Sequence, residues 1–277
     1  MQAKKPLEVI ENLPFDAPSA DMTELSGKLD LMLKLMEEQL MLQRIGLLDA
    51  GHVLRFAHGG NQEISLSLPN AQDDYVQRMI LKTRSFYEGR LLATIQGMKL
   101  IDATTTVCDI GANIGNHSVF FGKVLGAKQL LAFEPQANVY ATLCRNLELN
   151  GLTDALAYNC LVGAKSGRGD VARFNPRNLG STAYTPAKDG AVPMVALDDL
   201  MDGDEMKSLG FIKIDADGMQ LDVLQGAKKI LKAKKPALWL EMMPRDPVSG
   251  EIVKFLEGFG YSAVQIGPND QVFTARK

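Results

Sequence analysis

Apolar and polar positions follow three different rhythms along this chain, and each rhythm marks a region. Residues 1–21 show none. They are polar, punctuated by Pro6, Pro14 and Pro18, and are expected to form a mobile leader without the apolar stretch of a signal peptide. From Met22 the rhythm becomes helical: Met22, Leu25, Leu29, Met32 and Met36 fall three and four apart, the seam of a short coiled coil. Asp21 or Thr23 offers a cap, and the helix is expected over 22–46 within a segment 22–48. Continuing the register puts Gln39 and Gln43 on the seam, while Leu40 and Ile45 mark a slip. Two readings stand for this helix, one packed on its own domain and one mediating a homo-oligomer.

Residues 49–102 carry a mixed pattern that reads as a hairpin and helical cap. His58-Gly59-Gly60-Asn61 supplies a turn, and Ile64, Leu66 and Leu68 alternate with Ser65 and Ser67 as in a half-buried strand. Helices are expected near 71–82 and 85–98. From Thr105 short apolar runs alternate with helical stretches. Strands are expected at 106–110, 129–134, 155–163, 210–215 and 237–242, and helices at 115–125, 137–149, 219–232 and 248–258. The stretch 169–196 is expected to be β-rich, and YSAVQI with QVFTA closes the chain as two strands. Strand–helix alternation at this pitch implies right-handed crossovers and a mainly parallel sheet with an antiparallel edge, so residues 103–277 form one α/β domain.

Composition narrows the function classes. Of 277 residues 46% are apolar and 23% charged, ample for a core. Thirty basic against thirty-three acidic residues give a net charge of −3, which argues against a nucleic-acid partner. No apolar run reaches the roughly 18 residues of a membrane span. Cys108, Cys144 and Cys160 have neither disulfide-framework nor zinc-site spacing. A reduced, cytoplasmic protein is expected.

The chemistry concentrates in Asp109-Ile-Gly111-Ala112-Asn113-Ile-Gly115, which follows a strand and opens a helix. A dinucleotide loop needs G-x-G-x-x-G so that helix amides meet a pyrophosphate. Here the glycines are spaced G-x-x-x-G and an acid stands two positions before the first. An acid there repels pyrophosphate and suits a cationic, phosphate-free ligand such as S-adenosylmethionine. Glu134 ends the next strand, where a carboxylate can take both ribose hydroxyls. The plainer alternative is a tight turn and an ordinary surface glutamate.

These residues carry a resemblance. VCDIGANIGNHSVFFGKVLGAKQLLAFEPQANVYATLCRNLELNGL closely resembles the first half of the FkbM family of S-adenosylmethionine-dependent methyltransferases. Gly180-Ser181-Thr182, VPMVALDDL at 192–200 and FIKIDADGMQLDVLQGAKKILKAKKPALWLEM at 211–242 resemble its second half, so the likeness covers about residues 105–265. It implies a class I methyltransferase fold, Rossmann-like with a seven-stranded sheet, and O-methylation of a sugar, glycan or secondary-metabolite hydroxyl. Asp217 stands where relatives usually have glutamate, and Gln220 where they are often acidic, which puts those two contacts in doubt.

The match and the strand positions together imply that Asp109, Gly111, Ala112, Asn113 and Gly115 surround the methionine part of the cofactor, with Glu134 on the ribose and Pro135 on its adenine side. Asn159, Cys160 and Leu161 are placed to edge the adenine, although Asn159 reads equally as a strand-end turn residue. Ligands of open sheets sit beyond the carboxyl ends of the strands. That rule selects Asp215, then Glu241, as base or acceptor orienter; a helix cap or structural carboxylate is the alternative for both. His117, on the first turn after the loop, suits proton transfer near neutral pH or simply packs. Tyr87, Glu88 and Ser181 are candidates for the acceptor pocket, Tyr87 reading equally as a core aromatic. No metal site is expected, because the three histidines lack ligand spacing and Asp215 with Asp217 is too little for magnesium. N- or protein methylation and a non-catalytic, cofactor-binding oligomeric scaffold are the competing functions.

Overall fold

The computed structural model describes residues 22–49, 51–200, 202–243 and 247–275; the expected leader at 1–21 lies outside the described residues. A long helix, α1 (Met22–Gly46), precedes a hairpin of β1 (Val53–His58) and β2 (Gln62–Ser67). Two helices follow, α2 (Tyr75–Thr83) and α3 (Gly89–Met98). The α/β part then runs β3 (Thr106–Ile110), α4 (Asn116–Val119), β4 (Gln129–Phe133), α5 (Ala137–Leu149) and β5 (Leu156–Tyr158). An excursion holds β6 (Leu161–Val162), β7 (Gly167–Arg173), β8 (Ala183–Pro186) and β9 (Val192–Val195). The chain returns through β10 (Leu209–Ile214), α6 (Gln220–Gln225), α7 (Lys228–Ala233), β11 (Ala237–Glu241), α8 (Pro247–Gly258), β12 (Tyr261–Gln265) and β13 (Asp270–Ala275).

Seven strands form one sheet in the order β12-β13-β11-β10-β3-β4-β5. β11, β10, β3, β4 and β5 are parallel, and β13 runs antiparallel to both of its neighbours. This is the Rossmann-like, class I arrangement with an antiparallel edge. Its central strands are continuous apolar runs because each face is covered. Val107, Phe211, Trp239 and Val272 point to one face and pack with Ile64, Leu66, Ile80, Phe120 and Phe121. Cys108, Ile110, Ile212, Ile214, Leu238 and Leu240 point to the other and pack with Val223, Leu224, Ile230 and Leu256. The hairpin and its two helices therefore complete the core on one side of the sheet.

Several local expectations need correction. The run 155–163 is not one strand: β5 joins the main sheet, and β6 joins a separate four-stranded sheet ordered β6-β9-β7-β8. The helix expected at 115–125 is α-helical for a single turn and continues as a π-helix over Phe120–Val124. Gly122 sits where a Cβ would come within 2.6 Å of Leu130, so the wider turn accommodates tight packing on β4. The helix expected at 219–232 breaks at Gly226, which lies against the Gly163 carbonyl too closely to admit a side chain. Nor is β2 half-buried. Ser65 and Ser67 face α5, where the Ser65 N–H donates to Asn150 Oδ1 at 3.1 Å and the Ser67 N–H to Asn146 Oδ1 at 2.6 Å. Asn150 and Asn146 donate back to the Ser65 and Ser67 carbonyls, so two asparagines complete the strand edge in place of another strand.

α1 keeps its apolar side chains in solvent. Leu25, Leu29 and Met36 of the expected seam are exposed, and so are Leu31, Leu33, Leu35, Leu40 and Leu42 on other lines of the helix; the Met22 side chain lies outside the described residues. Only the C-terminal end engages the body. Met41 is buried, Ile45 and Leu48 pack against the core, and Glu37 pairs with Lys82 of α2 at 3.3 Å.

Candidate active site

The carboxyl ends of β3, β4, β10 and β11 open onto two connected spaces. One is a narrow groove of about 60 Å³ beside Glu134, Pro135, Cys160 and Leu161. The other is a chamber of about 700 Å³ that reaches Tyr87, His117 and Glu241, and Gly111, Asn113, Gly180, Asp215 and Asp217 line both. A volume of that size suits a small-molecule site.

The loop after β3 is shaped by backbone contact. Gly111 has φ +73, and a Cβ there would strike the Asp215 carbonyl oxygen at the end of β10. Gly115 has φ +85 before α4, the conformation glycine adopts without penalty. Asn113 is left-handed too, at φ +49, and its own Oδ1 accepts from the Ile114 N–H at 2.8 Å. Glu134 fastens this loop. Its Oε2 accepts from the Asn113 N–H at 3.0 Å and its Oε1 from the Gln136 N–H at 2.9 Å. Burial pushes the Glu134 carboxyl up to about 7 despite those two bonds.

Asp109 lies under the loop rather than in either space. It is fully buried, accepts from Ser118 Oγ at 2.6 Å and lies 3.4 Å from Lys213 Nζ. Lys213, which no sequence motif marks, organises the floor. The side chain is 3% exposed, its Nζ stands 3.2 Å from Asp215 Oδ2, and its pKa moves further up: the charges of Asp215 and Asp109 outweigh the burial that opposes them. The available signal was a lysine inside the apolar strand GFIKID, a position that demands a buried counter-charge.

Asp215 and Glu241, on neighbouring strands, share a hydrogen bond and titrate in opposite directions. For Asp215, burial raises the pKa but Lys213 and the Glu241 hydrogen bond more than offset it, so the carboxyl falls below its ordinary value. Burial and the adjacent Asp215 charge push Glu241 up to about 8. Near neutral pH the pair therefore holds one proton, carried by Glu241 and donated to Asp215.

His117 and Glu88 form the opposite wall, with His117 Nε2 3.1 Å from Glu88 Oε2. The His117 ring sits edge-on to Trp239 at 5.2 Å and stacks on Phe121 at 6.3 Å. Glu88 has φ +57, and its neighbour Tyr87 is clamped by Asn116: the Tyr87 N–H donates to Asn116 Oδ1 at 2.9 Å and Asn116 Nδ2 donates to the Tyr87 carbonyl at 3.1 Å. Burial and the carboxylates of Glu88, Glu241 and Asp215 raise the Tyr87 hydroxyl pKa.

The remaining sequence candidates separate. Ala112 lines the chamber. Ser181 lines it too, but its Oγ accepts from Asn175 and donates to the Asn178 carbonyl within its own loop. Asn159 faces a shallow outer concavity and donates to the Glu134 and Pro135 carbonyls at 2.8 and 3.0 Å, the turn-residue role. Asn116, the first residue of α4, also lines the chamber, as do Arg173 and Asn178, which the folded excursion brings to it.

The charges around the groove agree with the kind of ligand the glycine spacing points to. Among the described residues lining it there is no lysine or arginine to meet a pyrophosphate, while Glu134, Asp215 and Asp217 border it. Such a set suits a phosphate-free nucleoside carrying positive charge. Among the described residues no three His, Cys, Asp or Glu side chains are grouped to hold a metal ion.

Residues 109–263 match the family model of the methyltransferase FkbM domain. The chain is 24% identical over 142 residues to Methyltransferase 1 of Beauveria bassiana, covering 43% of this chain and 57% of that protein. It is 26% identical over 129 residues to the hexuronic acid methyltransferase AglP of Haloferax volcanii, covering 45% of this chain and 51% of that one. The match thus spans little more than half the length of these curated relatives. Among solved structures it is similar to an FkbM methyltransferase of Methylobacillus flagellatus, with TM-score 0.47 and 18% identity over 63% of this chain and 44% of the other.

Proposed function

The chain belongs to the FkbM methyltransferase family, and on that premise we propose that it is an S-adenosylmethionine-dependent O-methyltransferase acting on a hydroxyl of a sugar, glycan or secondary metabolite. The observation that carries the reading is the glycine loop fastened to Glu134, opening directly onto the Asp215–Glu241 pair. The Haloferax relative, a hexuronic acid methyltransferase, supports a sugar-type acceptor.

Bound S-adenosylmethionine would supply an electrophilic methyl group. Glu134, Gly111, Asn113 and Leu161 would hold its nucleoside side, and Asp217 would border its cationic side. The chain's own residues then align the acceptor and take its proton. Asp215, kept ionised by Lys213, would accept the proton of the acceptor hydroxyl. Glu241, donating to the same carboxylate, fixes its orientation. His117 and Glu88 bound the acceptor on the far side. The reading extends to self-association of the chain through the exposed leucines of α1.

Calorimetric titration with S-adenosylmethionine and S-adenosylhomocysteine tests the proposal. Both are expected to bind, and absence of binding by both would sink it.

A further inference from the structure

One buried hydroxyl beside the groove has no partner. Thr182 is 6% exposed, and among the described residues nothing hydrogen-bonds its Oγ1. Native folds rarely leave a buried hydroxyl unpaired, because desolvating it costs free energy that nothing returns. Its position points to what would pair with it. Thr182 lines the groove with Pro135, Gln136 and Tyr184, and these four also line the shallow outer concavity but not the chamber. Asp215 and Asp217, by contrast, line the groove and the chamber. A cofactor whose methyl group meets an acceptor in the chamber therefore lays its nucleoside half beside Thr182. Adenine and ribose carry both donors and acceptors, and a threonine hydroxyl can serve either.

The segment carrying Thr182 is tied down on two sides through one residue. The Leu179 N–H donates to Asp74 Oδ2 at 2.9 Å, and the Leu179 carbonyl accepts from Gln136 Nε2 at 2.8 Å. Gln136 in turn donates its N–H to Glu134. A single helical turn, Leu179–Ser181, ends with the Thr182 N–H donating to the same Leu179 carbonyl at 3.2 Å, so Leu179 fixes where Thr182 stands. Asp74 is 1% exposed and lies 105 positions before Leu179, at the start of α2, where its Oδ1 accepts from the Gln77 N–H at 3.0 Å. Resting on the methyltransferase reading above, we propose that Thr182 is a cofactor-binding residue whose hydroxyl hydrogen-bonds the nucleoside half of S-adenosylmethionine, and that Asp74 is the residue that positions it.

Calorimetric titration of the full chain tests both assignments, with S-adenosylhomocysteine and with 5′-deoxy-5′-methylthioadenosine, which lacks the amino-acid part. Thr182→Val keeps the shape and removes the hydroxyl. It is expected to weaken both compounds by the same factor, roughly three- to tenfold for one neutral hydrogen bond. Thr182→Ser keeps the hydroxyl and is expected to bind both within about twofold of the parent. Without ligand, Thr182→Val is expected to melt at or above the parent's temperature, because it removes an unpaired buried group. Parent-like affinity or a lowered melting temperature in Thr182→Val overturns the assignment. So does an equal loss in Thr182→Ser, or a loss confined to S-adenosylhomocysteine. A parent chain that binds neither compound overturns the methyltransferase reading, and this assignment with it. Asp74→Asn keeps a capping oxygen for Gln77 but can no longer accept from both N–H groups. It is expected to weaken both compounds, and to weaken them no further in the Thr182→Val background, since it acts through that contact. Losses that add, an affinity equal to the parent's, or a variant that fails to fold would strip Asp74 of the positioning role.

Discussion

Lys213 and Asp215 lie on one strand end, two residues apart, with Nζ and Oδ2 separated by 3.2 Å and the lysine almost wholly enclosed. Side chains two apart on a strand point to the same face, so β10 itself delivers a cation to the carboxylate. A second carboxylate, Asp109 of the adjacent parallel strand, lies opposite Lys213 in register. One buried ammonium thus serves an acid beneath the glycine loop and an acid at the chamber floor.

Replacing Lys213 by methionine is therefore expected to act twice. It leaves Asp109 buried without its cation, a loss of about 3–5 kcal/mol of stability by the usual cost of breaking a buried pair. It also removes what holds the Asp215 pKa down, so the acid limb of the pH–rate profile shifts upward. Denaturant unfolding and the pH dependence of methyl transfer read the two effects separately. An unchanged acid limb would remove Asp215 from the base position.

The raised carboxyls of Glu134, about 7, and Glu241, about 8, make the chain's stability depend on pH in a definite sense. Each pKa is higher in the folded than in the unfolded state, so the folded form binds protons more tightly. Their contribution is fully present below the unfolded value near pH 4.5 and is lost as pH rises through 7 to 8. Glu241→Gln, which cannot ionise, is expected to melt near the parent's temperature at pH 5 and above it at pH 9. Equal melting at both values would show that Glu241 is not a raised carboxyl.

Legibility in the sequence followed the range of the interactions. TVCDI and QLLAF were readable because each strand is buried on both faces and bounded by loop signals, and 137–149 because its apolar spacing is helical throughout. The site loop was readable for the same local reason: Gly111 and Gly115 stand where the backbone takes positive φ. What failed was decided from a distance. Ser65 and Ser67 look solvent-facing until Asn146 and Asn150 arrive from α5, and 155–163 looks like one strand until Asn159 turns it toward a second sheet. Lys213 had no visible role while Asp109 was only a neighbour in space.

Gly111 provides a sharper test of the loop. Alanine there meets both a positive φ, worth about 1–3 kcal/mol of strain in a non-glycine residue, and the Asp215 carbonyl. Gly111→Ala is expected to lower S-adenosylhomocysteine affinity at least tenfold by calorimetry. Gly218→Ala is the control, since it also has positive φ but nothing stands where its Cβ would go. If the two variants bind alike, the close approach of loop and β10 is not what shapes the groove.

The last prediction concerns α1, whose leucines and methionines stay in solvent along most of its length while its C-terminal end is fixed to the body by Met41 and the Glu37–Lys82 pair. A helix with that much exposed apolar surface gains little from its own domain, and isolated helices depend on packing for stability. The spacing of Leu25, Leu29, Met32 and Met36 is that of a coiled-coil seam, and on the proposed self-association a second copy of the same helix covers it. Leu25→Glu with Leu29→Glu and Met36→Glu changes side chains that touch little of the body. It is expected to lower the mass measured by light scattering while leaving S-adenosylhomocysteine affinity within about twofold, since distant sites with no shared partners act independently. A monomeric mass for the parent chain, or an unchanged oligomer in the triple variant, would end the self-association reading without touching the site at the carboxyl ends of the strands.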